Sequence, residues 1–304
     1  MEGIVTKSTG SWYTVKDPEG IRFDCRLRGK FKIEGVKSTN PLAVGDRVNF
    51  VVEHGQNTGT ITAIHERRNH IIRKATNLSR QTHVIAANID QAMVIATLAH
   101  PRTSSGFIDR FLVNCEAYSV KPLVVFNKAD ILTAEGLEHV EELLRVYERT
   151  GYETLLVSAV SGLNLHRLQQ VLANNTTLLG GHSGVGKSTL INAIDSSLNL
   201  KTQSISYTHL KGKHTTTFAE MFELTTGGFI IDTPGIKEFG LVNFEAWELC
   251  HYFPEMRALF NQCRYDNCTH NNEPGCKVKE EVEAGNINPV RYGNYLGILL
   301  GEER

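Results

Sequence analysis

The sequence predicts a multidomain protein: an N-terminal β-barrel, a central α/β unit with a mostly parallel sheet, and a small, mainly helical C-terminal unit. Three observations predict it. Short strands separated by turn residues fill the first 70 positions; buried-type strands then alternate with helical stretches to about residue 240; and Cys263, Cys268, His270 and Cys276 cluster near the C-terminus. The expected boundaries are 1–70, 71–240 and 241–304.

A hydrophobic share of 41% against 21% charged residues is that of a globular chain able to bury cores rather than a disordered one. No apolar run reaches the roughly 20 residues that a spanning helix needs. The start MEGIVTKSTGSW has no apolar secretion-signal core, so a cytoplasmic protein is expected. The net charge of −1 means that any nucleic-acid partner must be met by a local basic patch.

The barrel is read first from Ile21-Arg22-Phe23-Asp24-Cys25-Arg26-Leu27-Arg28, which alternates apolar with mostly basic side chains as a half-exposed strand does. Val48–Val52 after Gly45-Asp46, and Thr60–Ile64 after Gly59, add strands at the spacing of an oligonucleotide-binding (OB) barrel. Arg22, Arg26, Arg28, Lys30 and Lys32, with Arg67, Arg68, Arg73 and Lys74 in the exit segment, supply a basic face. Two readings stay open for it: a solvated surface, or a track for a nucleic-acid backbone.

In the central unit the strands are 92–97, 123–126, 153–157 and 229–231, and the helices 108–118, 134–150, 165–173 and 187–193. Its loops carry the chemistry. Gly181-His182-Ser183-Gly184-Val185-Gly186-Lys187-Ser188-Thr189 fits G-x-x-x-x-G-K-[ST] between a strand and a helix. Backbone N–H groups and the helix N-terminus would cradle phosphates there, Lys187 would reach the β/γ-phosphates, and Ser188 would ligate Mg²⁺. Asn127-Lys128-Ala129-Asp130 follows an apolar strand. The Asp130 carboxylate can accept from the N1–H and exocyclic amine of guanine, Asn127 can bridge neighbouring loops, and the Lys128 stem can lie over the ring. Adenine presents the reversed pattern at those atoms and would leave the carboxylate unpaired.

Ser158 and Ala159 in Val157-Ser158-Ala159 suit a second base-contacting loop. Asp232-Thr233-Pro234-Gly235 offers a carboxylate for Mg²⁺ through water and a Gly235 N–H for the γ-phosphate. The polar run Gly212-Lys213-His214-Thr215-Thr216-Thr217 suits a mobile switch, with Thr216 the expected metal-shell hydroxyl. Ile236 follows the Asp-Thr-Pro-Gly run where Ras-like enzymes carry a water-orienting Gln, and an aliphatic side chain cannot do that job. His214 is the residue to test as a substitute.

Cys263-x₄-Cys268-x-His270-x₅-Cys276 supplies three thiols and an imidazole, enough for a closed tetrahedral zinc site, although the spacing is not that of a common finger and also suits buried reduced cysteines. Cys250-His251 nearby reads as one core and one surface residue.

In the order base, base, phosphate loop, switch, switch, these motifs resemble the circularly permuted GTPases, specifically the small-ribosomal-subunit-dependent family called RsgA or YjeQ. The resemblance covers essentially the whole chain: the barrel, the G domain with its GKHTTT run, and the Cys/His module. It implies a Mg²⁺-dependent GTPase that forms GDP and phosphate, is stimulated by the small (30S) ribosomal subunit, acts late in that subunit's maturation, and binds 16S rRNA through the OB-fold and zinc domains. It also implies one structural Zn²⁺ on Cys263, Cys268, His270 and Cys276, and slow hydrolysis alone because of Ile236. A monomer with no membrane partner is expected. In such a permutation the chain leaving Gly235 runs directly into the C-terminal unit, tying a nucleotide-sensitive loop to it.

Overall fold

The computed structural model describes residues 1–28, 41–53, 55–74, 82–200, 219–232 and 245–302. Strands β1 (Glu2–Ser8), β2 (Tyr13–Lys16), β3 (Arg22–Leu27), β4 (Arg47–Val52) and β5 (Thr58–Ile64) come first. They pair β1–β2, β2–β3, β3–β5 and β5–β4, and β4 returns to β1, so no edge is left unpaired around the ring. The alternation seen in the sequence places Val5, Val15, Phe23, Cys25, Val48, Phe50 and Ile61 inside. Arg22, Arg26 and Arg28 are exposed. The Arg26 guanidinium stacks 3.9 Å from the centroid of the Trp12 ring.

One basic residue leaves that surface. Arg67 donates from Nε and Nη2 to the two carboxylate oxygens of the fully buried Asp46, each at 2.7 Å, and from Nη2 to Pro41 O at 3.1 Å. A bidentate pair around a buried carboxylate is structural, so Arg67 is not part of a basic face. Arg68 pairs with Asp90 at 2.6 Å. Lys30 and Lys32, and the side chains of Arg73 and Lys74, lie outside the described residues.

The chain continues with β6 (His70–Lys74) and β7 (Thr82–Ala87), an antiparallel pair in the segment the sequence suggests is a simple exit from the barrel. Burial of Ile71, Val84 and Ala86, with Ala86 directly opposite Ile71, explains the strand. Then follow β8 (Gln91–Ala96), α1 (Ser105–Ala117), β9 (Lys121–Phe126), α2 (Ala134–Arg149), β10 (Glu153–Leu156), α3 (Leu165–Leu172), β11 (Thr176–Gly180), α4 (Lys187–Ile194), β12 (Glu220–Glu223) and β13 (Phe229–Asp232). A 3₁₀ turn over Ala246–Tyr252 leads to α5 (Pro254–Arg257), α6 (Lys277–Glu283) and α7 (Pro289–Leu299).

The helices start where side-chain caps allow. Ser104 Oγ accepts from Phe107 N at the head of α1, Thr133 Oγ1 from Gly136 N at α2, and Asn288 from Val290 and Arg291 N at α7, where Pro289 occupies the first turn. Val140, Leu144 and Tyr147, at helical spacing, form the buried stripe of α2. No helix among the described residues is long and apolar enough to cross a membrane.

Two compact units result. The first holds residues 1–92, 166–180 and 187–240. Here β11 pairs parallel with β13, β13 antiparallel with β12, and β12 antiparallel with β1, so the barrel and the β12–β13 hairpin share a sheet. The second unit holds 93–165, 181–186 and 241–304. In it β10 lies parallel to β9, with β8 on the other side of β9. Its C-terminal core is built from Leu249, Phe253, Met256, Val278, Ile287 and Tyr295, with Val113 of α1 packed among them. An ion cluster ties α7 to α1: Arg291, 2% exposed, meets Asp109 at 2.5 Å and Glu255 at 2.5 Å.

Candidate functional site

In the second unit the loops after the parallel strands meet. Asn127 leaves the end of β9 almost fully buried, its N–H donating to Ala96 O at 2.9 Å. Its side-chain Nδ2 donates to Val185 O at 2.9 Å, and its Oδ1 accepts from Ala159 N at 3.3 Å. One carboxamide therefore clamps the phosphate loop and the Val157-Ser158-Ala159 loop to the strand between them. The clamp needs Gly186. Its φ is +90°, and a Cβ there would fall 2.6 Å from Asn127 Nδ2, so a larger residue would expel the carboxamide. At the loop's first position Gly181 has φ +135°, and a Cβ would lie 2.5 Å from Ile95 O.

Asp130 is exposed, yet held: the buried Ser158 hydroxyl donates to Oδ1 at 2.5 Å. Ser158 Oγ in turn accepts from Val160 N at 3.2 Å and Ser161 N at 3.0 Å, so the serine is fixed before it fixes the carboxylate. The remaining acceptor capacity of Asp130 faces solvent, as a carboxylate that reads a base edge requires. Lys128 adopts φ +66°, ψ +38°, a left-handed conformation rare for a side-chain-bearing residue, and its Nζ donates to His100 O at 2.5 Å.

His182 of the phosphate loop packs on Phe107, ring centroids 3.9 Å apart, which sets the head of α1 against that loop. Ser183 is half-buried and Gly184 exposed.

Residues 97–103 were not singled out by motif, yet they adjoin both the 127–130 and the 181–186 loops. His100 O takes the Lys128 ammonium, and a Cβ on Gly184 would come 3.3 Å from Pro101 Cδ. The turn is closed by Thr103 N on Thr97 O at 2.9 Å and Thr97 N on Thr103 Oγ1 at 3.1 Å. The signal in the sequence was its position: a Pro-containing run after a buried strand, at the carboxyl end where ligands meet open α/β sheets.

In the first unit Lys187 and Ser188 open α4, with Ser188 buried and Thr189 exposed on the same turn, and Asp232 ends β13. A hydroxyl and a carboxylate are hard oxygen donors of the kind Mg²⁺ takes alongside phosphate oxygens. Thr216, Gly235, His214 and Ile236 lie outside the described residues.

The Cys/His cluster is assembled. One ligand atom from each of Cys263, Cys268, His270 and Cys276 lies within 4.8 Å of the others. His270 turns Nδ1 to the sulfurs, 3.6 Å from Cys263 Sγ and 3.4 Å from Cys276 Sγ, close to the edge length of a tetrahedral site with metal–sulfur bonds of about 2.3 Å. Burial pushes the Cys268 thiol up to about 12 and lowers the His270 pKa, which favours the neutral imidazole. A divalent ion would therefore have to displace thiol protons, and three thiolates with one imidazole suit it.

Outer contacts hold the ligand loop. Lys277 N donates to Cys263 Sγ at 3.3 Å, Tyr292 OH to His270 O at 2.7 Å, and Tyr295 OH to Thr269 O at 2.6 Å. The Glu273 carboxylate accepts from Thr269 N at 2.8 Å, Thr269 Oγ1 at 2.6 Å and Asn271 N at 3.0 Å. The cluster could hold one metal ion. Cys250 is buried in the neighbouring core and His251 half-buried.

A closed five-strand barrel, a nucleotide-type α/β unit whose base loops precede its phosphate loop, and a metal-ready Cys/His module together define a circularly permuted GTPase. Comparison with known proteins agrees. Residues 64–242 match the model of the RsgA GTPase family and residues 2–61 that of the RsgA N-terminal domain. "Small ribosomal subunit biogenesis GTPase RsgA" of Christiangramia forsetii is 50% identical over 305 aligned positions, covering 100% of this chain and 97% of that one. Its namesake in Bacteroides fragilis is 46% identical with the same coverage. Among solved structures, YjeQ from Thermotoga maritima superimposes with a TM-score of 0.79 at 34% identity, over 99% of this chain and 97% of that one. YloQ, described as a circularly permuted GTPase, gives 0.75 at 28%, over 99% and 94%. The chain belongs to the RsgA GTPase family and is a GTP hydrolase.

Proposed function

We propose that this GTPase works in the cytoplasm, as a monomer, on the small ribosomal subunit late in its assembly. In this reading it binds the particle in the GTP state and leaves it after forming GDP and phosphate. The observation that carries the guanine chemistry is the Asn127 clamp with the Ser158–Asp130 hydrogen bond, which presents a fixed acceptor next to the phosphate loop. The ribosomal partner is supported by the names of relatives such as that of C. forsetii, which the chain matches end to end.

The roles divide by module, with working boundaries at 1–70, 71–240 and 241–304. Asn127, Lys128, Ala129, Asp130, Ser158 and Ala159 select guanine. Gly181 through Gly186 and Thr189 cradle the phosphates, with Lys187 on the β/γ-phosphates. Ser188, Thr216 and Asp232 hold Mg²⁺, and the Gly235 N–H meets the γ-phosphate. Mg²⁺ supplies charge neutralisation between the phosphates when bound. The barrel and the Cys/His module, which holds one structural Zn²⁺, grip 16S rRNA, with Arg22, Arg26 and Arg28 as exposed cations on the barrel. Two tethered contacts raise effective concentration beyond what either patch gives alone.

Co-sedimentation with small subunits tests this. The GTP-analogue form should pellet with the particle and the GDP form should remain in the supernatant. Equal pelleting in both states would refute the nucleotide-gated reading.

A further inference from the structure

The hairpin that ends in Asp232 is built into the barrel. Across the β12–β13 ladder the Cα partner of Asp232 is Glu220, the first residue of β12. On its other side Glu220 is paired with Lys7 of β1. Residues directly opposite on neighbouring strands project from the same face of the sheet, so Lys7, Glu220 and Asp232 form one row. Lys7 Nζ lies 3.1 Å from both Oε1 and Oε2 of Glu220.

That row sets two carboxylates opposite each other, an arrangement that destabilises a ladder unless a cation offsets it. For Glu220 such a cation comes from the barrel, as Lys7. A second ion pair repeats the attachment at the other end of β12: Lys16 of β2 pairs with Glu223, its Nζ 5.5 Å from the Phe229 ring centroid. The strand between the switch region and the metal-side carboxylate is thus held at both ends by barrel lysines.

We propose that Lys7 is a positioning residue for the nucleotide-bound magnesium: acting through Glu220, it sets the negative charge beside Asp232. This rests on the reading of Asp232 as the magnesium-side carboxylate. The sign follows from the row. With Lys7 and Glu220 both present the row carries one net negative charge. Removing Lys7 leaves two, which attracts a divalent cation more strongly; removing Glu220 leaves none, which weakens the attraction. Side-chain exposures of 42% for Lys7 and 36% for Glu220 mean solvent screens the effect, so each shift is about threefold.

The test is a magnesium titration of full-length protein, read by the binding of a fluorescent GTP analogue with no turnover measured. Glu220→Gln should raise the half-saturating Mg²⁺ about threefold and Lys7→Met should lower it about threefold, with Lys7→Arg unchanged. The double variant Lys7→Met/Glu220→Gln restores one negative charge and should return to the parental value. A merely structural role would move both single variants the same way and make the double variant worse, and that result would overturn the proposal. Asp232→Ala separates it from the reading beneath: if that variant leaves the magnesium dependence unchanged, the placement of Asp232 falls and the proposal with it. If Asp232→Ala abolishes the dependence while the Lys7 and Glu220 variants fail to shift in opposite directions, the proposal alone falls.

Discussion

Arg291→Ala removes the cation that joins α7 to α1. In the intact protein Arg291 Nη1 meets Asp109 Oδ1 at 2.5 Å, while Nε and Nη2 meet the Glu255 carboxylate at 2.5 and 3.1 Å. Asp109 is fully buried, with Asn294 Nδ2 on its other oxygen at 2.6 Å. Burial alone would disfavour the charged guanidinium, but Asp109 and Glu255 outweigh it and hold the Arg291 pKa above the ordinary arginine range. The alanine variant leaves a buried carboxylate without its cation and also loses the guanidinium contact with Phe253, 5.1 Å from its ring centroid.

Breaking one side of a buried pair costs about 3–5 kcal/mol, which in a protein of this size lowers the melting temperature by on the order of 10 °C. Denaturant unfolding measures the loss. The triple variant Arg291→Met/Asp109→Asn/Glu255→Gln, which removes all three charges, should regain most of it. A loss below about 1 kcal/mol for Arg291→Ala, or a triple variant no better than the single one, would refute the claim that this cluster anchors the C-terminal unit.

Asp130→Asn turns one acceptor into a donor and should move preference from GTP toward XTP by about 10- to 100-fold, the value of a lost charge-assisted hydrogen bond; competition binding with an unchanged preference contradicts the base-reading role. Cys268→Ala should lose tightly held zinc and locally unfold residues 260–280 while nucleotide binding persists, and metal analysis with zinc unchanged in the variant would remove that cysteine from the ligand set. For Glu273, burial raises the carboxyl pKa, but the hydrogen bonds from Thr269 and Asn271 outweigh it and bring the value down to about 2 from an ordinary 4.5. Because the folded value lies below the unfolded one, its stabilisation is complete above about pH 4.5 and fades as pH falls toward about 2. The Thr269 amide resonance should titrate with a midpoint near the lower value and lose that titration in Glu273→Gln; a midpoint near 4.5 would contradict the capping role.

The parts of the site that were legible in the sequence are those whose geometry is local. A phosphate loop needs glycines at fixed offsets from a helix start, so spacing announces it; the four Cys/His side chains between 263 and 276 also need no distant partner, but their spacing suits buried reduced cysteines as well and points to zinc only together with the family resemblance. Where a side chain's role depends on a residue far along the chain, pattern misleads. Arg67 looks like another surface cation until Asp46, 21 positions away, is seen buried beneath it. The Asp109–Arg291 pair spans 182 positions, and neither residue stands out in its own helix. Helix α7 carries glycines at 293 and 297, which lower helix propensity, and the Asn288-Pro289 start was the cue to weigh against them. The row Lys7, Glu220, Asp232 exists only through strand register, which a one-residue slip would destroy.

We propose that a slow guanine-nucleotide engine is completed by the particle it works on. Multiple-turnover GTP hydrolysis, followed with and without purified small ribosomal subunits, tests it most directly. The expected results are slow turnover alone, a substantial rise with subunits, a loss of that rise when Arg26 and Arg28 are reversed in charge, and no turnover in Lys187→Ala. A rate that small subunits leave unchanged, or a stimulation that an RNA-free protein extract reproduces, would contradict it.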